Sequence, residues 1–245
     1  MRTPRLCIWI GIACLFSTLT LVTFSSARGE GGNGFVQSEK ERRLELFNGK
    51  DLDGWVAEGA KDYKDLDGKL QPVWTVRDGF LHCAGKGYGF LRYDKREFAD
   101  FVLHVEYRMA PKCNSGIGVR TVPYDPSRDE STRPSFYSYE IQLLDDAGKK
   151  PNKHSSGSLY RYVAPKVNAV KPAPEWNIVE VECVGPRIKV TINDQEVIDV
   201  DQTSIPEIRN KPLKGYVCLQ NHHGIIDFRN VRIRENPKEI NRGGR

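Results

Sequence analysis

Apolar and polar residues alternate along this chain in short runs, and helical periodicity is nearly absent. Such alternation is the mark of strands with one face in a core and one face out. The run Ser138-Tyr139-Glu140-Ile141-Gln142-Leu143-Leu144-Asp145 is the most telling. Tyr139, Ile141 and Leu143 share a core face, and Glu140 and Gln142 share the other. Asp145 falls on the core side of a regular strand; a β-bulge at Leu143-Leu144 brings it back beside Glu140 and Gln142. Phe101 to Arg108 alternates as cleanly, with His104 facing outward. In Asn114 to Arg120 the same parity puts Ile117 and Val119 inside, and Gly116, Gly118 and Arg120 outside. Two glycines leave a shallow depression with a cation at its end, or a place where a loop packs closely; both readings stand.

The remaining runs follow suit. Val73–Val76 and Gly79–Cys83 read as a hairpin, and Gly89–Tyr93 as a strand. Glu175–Cys183, Arg187–Ile192 and Glu196–Val200 read as a meander over Gly185-Pro186 and Asn193-Asp194 turns. Gly215–His223 puts Val217 and Leu219 inward, with Gln220 and His222 outward, and Ile226–Ile233 closes the set. Val56–Pro72 reads as a polar loop. Pro123–Pro134 is a loop long enough to overhang a sheet face, and Asp146–Ser158, carrying His154, is another. About a dozen short strands predict a β-sandwich.

The ends of the 245-residue chain look different. Arg2 and Arg5 precede an apolar run from Leu6 to Phe24, and Ser25-Ser26-Ala27 supplies small residues, the pattern of a secretory leader. We expect a signal peptide over 1–27, a Gly- and charge-rich linker over 28–43, the sandwich over 44–235 and a tail over 236–245. That predicts an exported protein, periplasmic or extracellular, with no membrane span in the mature chain. The formal charge of +5 is scattered, which excludes a nucleic-acid footprint. Cys83, Cys113, Cys183 and Cys218 remain after cleavage, as two disulfides or as buried thiols.

The outward residues Arg120, Glu140, Gln142, Gln220 and His222 combine with Asp145, His154, Tyr160, Trp176 and Asn177 into a set suited to a sugar. Hydroxyls want paired donors and acceptors, and the ring's C–H face wants an aromatic platform. Trp176 and Tyr160 serve equally as core or as platform. His222 beside His223 becomes a metal ligand only if a third ligand converges.

Several motifs occur in order: Leu46-Phe47-Asn48-Gly49, Leu52-Asp53-Gly54-Trp55, Asn114 to Arg120, Tyr139 to Asp145, Gly157-Ser158-Leu159-Tyr160, Glu175-Trp176-Asn177, Gly215 to His222 and Phe228-Arg229-Asn230-Val231. In these the chain resembles the 3-keto-disaccharide hydrolase domain family, common in exported proteins of planctomycetes and Bacteroidetes. The resemblance implies a concanavalin A-like jelly-roll β-sandwich and cleavage of glycosidic bonds in sugars oxidised at C3. A ketone at C3 acidifies the C2 proton, so a base can remove it and the C1 substituent leaves. Glu140, His154 or His222 is then the base. Arg120 or a bound divalent metal, calcium or another, steadies the enolate oxygen. Gln142, Gln220 and Asn177 hold hydroxyls of an oligosaccharide or glycoside. Two alternatives are a retaining glucanase-like hydrolase, with Glu140-x-Gln142-x-x-Asp145 as its strand, and a non-catalytic carbohydrate-binding module.

Overall fold

A computed structural model describes residues 43–128 and 132–235. The expected leader and its cleavage point, the expected linker up to residue 42 and the expected tail lie outside the described residues. In chain order the strands are β1 (Arg43–Glu45), β2 (Trp55–Gly59), β3 (Asp62–Lys64), β4 (Leu70–Pro72), β5 (Trp74–Arg77), β6 (Phe80–Cys83), β7 (Gly89–Tyr93) and β8 (Phe101–Met109). Then come β9 (Asn114–Thr121), a four-residue helix α1 (Pro134–Tyr137), β10 (Tyr139–Leu144), β11 (Asn177–Val184), β12 (Arg187–Ile192), β13 (Gln195–Asp201), β14 (Tyr216–Asn221) and β15 (Ile226–Glu235). All described strand pairs are antiparallel, and the fold is the predicted jelly-roll sandwich.

One sheet runs β13-β12-β11-β8-β15-β6-β5. β15 is long enough to pair β8 on one side and, on the other, β6 with its first half and β1 with its second. The other sheet runs β10-β9-β14-β7-β2. The core fills the space between them. Phe101, Leu103, Val105 and Tyr107 of β8 are buried there, as are Ile117 of β9, Tyr139, Ile141 and Leu143 of β10, and Val217 and Leu219 of β14. Each fully buried side chain of this kind contributes about 1.5–3 kcal/mol. A one-residue slip of β10 would exchange Tyr139, Ile141 and Leu143 for Glu140 and Gln142. That loss, on the order of 5 kcal/mol, pins the register that presents Glu140 outward.

Three expectations change. Val56–Pro72 is not a loop: β2 forms the edge of the five-stranded sheet, and β3 and β4 make a separate hairpin. An edge strand has half its backbone unpaired and only partial burial, so its sequence need not alternate. Asp145 is not returned by a bulge, because β10 and β9 pair without interruption through Leu144 opposite Asn114. The bulge lies instead on the far side of β9, where Tyr216 faces Thr121 and Cys218 faces Gly118. Val119 and Arg120 together thus oppose Val217, and Arg120 adopts a left-handed φ of 55°. That extra residue reverses the parity on which an outward Arg120 was inferred.

The four described cysteines are free thiols, all buried. Burial pushes Cys83, Cys113 and Cys183 up to about 12, so they are protonated and inert at neutral pH. Among the described residues no helix is long and apolar enough to cross a membrane.

Candidate active site

The site lies on the face of the five-stranded sheet turned away from the core, over β10, β9 and β14. Gln142 stands opposite Gly116, and Glu140 opposite Gly118. Gly118 in turn faces Cys218, so continuing that register sets Gln220 across from Gly116. The two glycines do different things. At Gly118 the space is taken: an added Cβ would come within 2.5 Å of the Cys218 sulfur and 3.0 Å of Pro134 at the start of α1. At Gly116 the Glu140 side chain itself lies across the strand, its Oε1 2.8 Å from where a Cβ would be. There it accepts a hydrogen bond of 2.8 Å from Gln220 Nε2. Ser135 of α1 also hydrogen-bonds it.

Glu140 is 4% exposed. Burial raises its carboxyl from the ordinary 4.5 to about 7, against the lowering effects of Gln220, Ser135 and the Arg133 charge. Such a group exchanges a proton readily near neutrality. Gln142 donates from Nε2 to Asn114 Oδ1 at 2.9 Å. The Oε1 atoms of Gln142 and Gln220 are buried and accept nothing among the described residues. An unsatisfied buried acceptor costs about 1–3 kcal/mol, which a ligand hydroxyl would relieve.

Gly116→Ala tests this geometry. A methyl group there displaces the Glu140 carboxylate from Gln220, and overpacking of this kind costs about 1–3 kcal/mol. The expected result is a protein folded by circular dichroism with at least tenfold lower turnover, a factor equal to ~1.4 kcal/mol.

The walls come from loops. α1 and the residue before it supply Arg133, Ser135 and Phe136, and the segment after β10 supplies His154, Tyr160 and Arg161. Tyr88 precedes β7, and His222 follows β14. Together they enclose a cleft of ≈ 410 Å³. The segment after β10 runs along that strand's outer edge: Gln142 N donates to Ser158 O at 3.1 Å, Gly157 N to Gln142 O at 2.8 Å and Tyr160 N to Glu140 O at 2.9 Å. His154 packs edge-on to Tyr160 with ring centres 5.1 Å apart, and Tyr88 packs edge-on to His222 at 5.3 Å. The Arg133 guanidinium sits 4.9 Å from the centre of the Tyr88 ring, and Arg161 lies 4.0 Å from that of Phe136. Burial, then the His223 and Arg133 charges, hold the His222 imidazole below its ordinary 6.5, so it is neutral at pH 7.

Six of the ten residues expected from sequence line this cleft: Glu140, Gln142, His154, Tyr160, Gln220 and His222. Four do not. Arg120 is fully buried and donates to Ala99 O at 2.8 Å and Gly185 O at 2.8 Å, with Asp100 at 3.8 Å. Asp145 Oδ2 accepts from Lys112 N at 2.8 Å, beyond the end of β10. Trp176 belongs to the other sheet's side, between Arg229 at 3.9 Å and Arg108 at 5.0 Å. Asn177, at the start of β11, is buried and accepts from Lys171 N and Asn193 Nδ2, both at 2.8 Å. Its bonds are structural. Tyr88, Asn114, Arg133, Ser135, Phe136 and Arg161 were missed. Arg133 and Ser135 flank Pro134, at the end of the loop read as overhanging, and that was the one available signal.

Glu140, His154 and His222 are the cleft's candidate metal ligands, yet no three His, Cys, Asp or Glu side chains gather around one point among the described residues. The residues present do not fit an ion held by three protein ligands.

The model of the 3-keto-alpha-glucoside-1,2-lyase-like domain matches residues 43–234. No curated protein matches the chain. Among solved structures, a provisionally assigned glycosyl hydrolase from Parabacteroides distasonis is similar with a TM-score of 0.65 and 21% identity, over 82% of this chain and 97% of that one. A second from the same organism gives 0.62 and 26%, over 79% and 99%. A protein of unknown function with a galectin-like fold from Bacillus subtilis gives 0.50 and 14%, over 79% and 94%. The first and third likenesses bear on the fold alone.

Proposed function

Because the chain belongs to the 3-keto-alpha-glucoside-1,2-lyase-like domain family, we propose that its cleft cleaves the glycosidic bond of a glycoside oxidised at C3. The similar structure at 26% identity, a provisionally assigned glycosyl hydrolase, supports a glycoside-acting enzyme. The observation that carries the chemistry is Glu140, a carboxylate buried at the floor of a polar cleft and poised to about 7.

The ionised Glu140 takes the C2 proton. The electron pair of that C–H bond delocalises onto the C3 oxygen as an enolate, where Arg133 or Arg161 from the wall supplies positive charge. The enolate then collapses, C1=C2 forms and the C1–O bond breaks. The proton held on Glu140, or one delivered through a cleft histidine, goes to the departing oxygen. Water can add to the unsaturated product, which makes the net reaction a hydrolysis. The open Oε1 acceptors of Gln142 and Gln220 hold substrate hydroxyls. This arrangement revises the expected roles: Arg120 is replaced by the wall arginines, and Asn177 drops out.

A retaining glucanase mechanism fits less well. It requires a pair of carboxyls about 5–5.5 Å apart. Glu140 is the only carboxylate among the described residues lining the cleft.

The test is turnover of a 3-keto-glycoside and its unoxidised parent by the purified protein, with deuterium at C2 in a parallel sample. Cleavage restricted to the keto sugar, with a primary isotope effect on kcat/KM, is expected. Cleavage of the parent at a comparable rate would reject the elimination. A sugar bound without any cleavage would make the chain a binding module. The pH profile follows from Glu140. The base form is required, so kcat/KM should rise about tenfold per unit below pH 7 and level off above it.

A further inference from the structure

The cleft is lined by one carboxylate and two arginines, and the arginines divide the space between them. The Arg133 charge reaches Glu140, His222 and Tyr88. The Arg161 charge is felt instead by Tyr162 and Lys211. Arg133 therefore stands at the Glu140 end, and Arg161 away from it.

Arg161 is held in place firmly. Its backbone takes a left-handed φ of 75°, which costs a residue with a Cβ about 1–2 kcal/mol. Its N donates to Lys153 O at 2.9 Å, which ties it to the loop that carries His154. The guanidinium lies over the Phe136 ring on the cleft wall, 4.0 Å from its centre. Yet Arg161 is exposed, and among the described residues its side chain makes no ion pair and no hydrogen bond.

The surroundings repeat this excess of positive charge. Lys149, Lys150 and Lys153 of the same segment are exposed, and none pairs with a carboxylate among the described residues. The acids of the segment are already engaged: Asp145 accepts from Lys112 N at 2.8 Å, and Asp146 from Ser156 N at 3.1 Å. Lys211 lies close enough for the Arg161 charge to add to burial in holding its ammonium down, to about 8. Glu207, whose charge reaches Tyr162, forms an ion pair with neither cation. A wall of like charges without an internal counter-charge suits an anion. A neutral hydroxyl cancels no charge, and the floor amides already offer it partners. A carboxylate does cancel charge, and the guanidinium fork receives both of its oxygens together.

We propose that the cleft takes an acidic glycoside, with a carboxylate of the substrate bound by Arg161 and the lysines of the same segment drawing it in. The carboxylate belongs to the sugar or to the departing group. The inference rests on the function proposed above and leaves Arg133 to face the enolate.

The experiment pairs binding with turnover on the full chain. Titration calorimetry compares methyl glucoside with two acids, methyl glucuronide and carboxymethyl glucoside, for the wild type and Arg161→Gln. One of the acids is expected to bind about tenfold more tightly than methyl glucoside, and Arg161→Gln to abolish that advantage. A preference for the glucuronide supports a carboxylate on the sugar; a preference for the carboxymethyl compound supports one on the departing group. Equal affinity for all three, or an acid advantage intact in the variant, would overturn the proposal. Turnover of methyl 3-keto-glucoside by the wild type, measured alongside, reports on the elimination alone. Its absence with the acid preference intact rejects the chemistry and upholds the acidic ligand.

Discussion

Glu140→Gln is expected to lower kcat on a 3-keto-glycoside by roughly 10³-fold and to make the protein more stable at pH 8. Both effects have one origin. The native carboxyl titrates near 7 instead of 4.5 because burial disfavours its charge. Below pH 4.5 the group is neutral folded or unfolded, and nothing is lost. Between 4.5 and 7 the unfolded chain ionises first, so stability falls as pH rises, and above 7 the deficit is constant. Its size is on the order of 3 kcal/mol. The neutral amide keeps an acceptor for Gln220 Nε2 and carries no charge to bury. Removing the deficit should raise Tm by roughly 5–10 °C at pH 8 and by almost nothing at pH 4. Thermal melts at both pH values check the stability, and steady-state kinetics check the rate. A variant that keeps near-normal turnover would remove Glu140 from the base role.

Arg120→Met is expected to do the reverse: to destabilise the fold by roughly 3–5 kcal/mol and to leave kcat unchanged where the variant is folded. The guanidinium is sealed from solvent and satisfies the carbonyls of Ala99 and Gly185 beside Asp100. Without it, the carbonyls of Ala99 and Gly185 lose their donor and Asp100 loses a neighbouring cation. Backbone strain is a separate matter. Arg120 has a φ of 55°, which glycine adopts freely. Arg120→Gly relieves that strain and still loses the hydrogen bonds, so it should be destabilised nearly as much. Urea unfolding of the two variants measures the loss, and turnover at 25 °C separates structure from chemistry. A tenfold fall in kcat with stability intact would return Arg120 to the reaction.

Arg120 also shows where a sequence stops being readable. Strand parity placed Glu140, Gln142, Gln220 and His222 correctly because β10 and the outer part of β14 keep a period of two. It failed at Arg120 because a bulge adds one residue, and nothing in the letters Gly-Val-Arg-Thr announces a left-handed backbone. Trp176 and Asn177 were grouped with the sugar face by residue type alone. The sheet to which a strand belongs is a matter of topology, and β11 went to the other one. The sandwich itself was legible, since core alternation is a property of every strand. The walls were not, because Tyr88, Arg133 and Arg161 reach the cleft through loop paths that no periodicity records.

The segment from Ser155 to Tyr160 lends β10 the hydrogen bonds that an additional strand would otherwise supply. It therefore blunts a free sheet edge that could template aggregation, and in the same stroke carries Tyr160 to the cleft. Length changes between Asp146 and Asn152 would leave those edge bonds in place, so this stretch is where inserted or deleted residues could diversify the cleft's entrance while the sheet stays as it is. This chain thus has a stretch through which substrate range could drift by insertion and deletion, with Glu140, the proposed base, held in a strand that cannot slip.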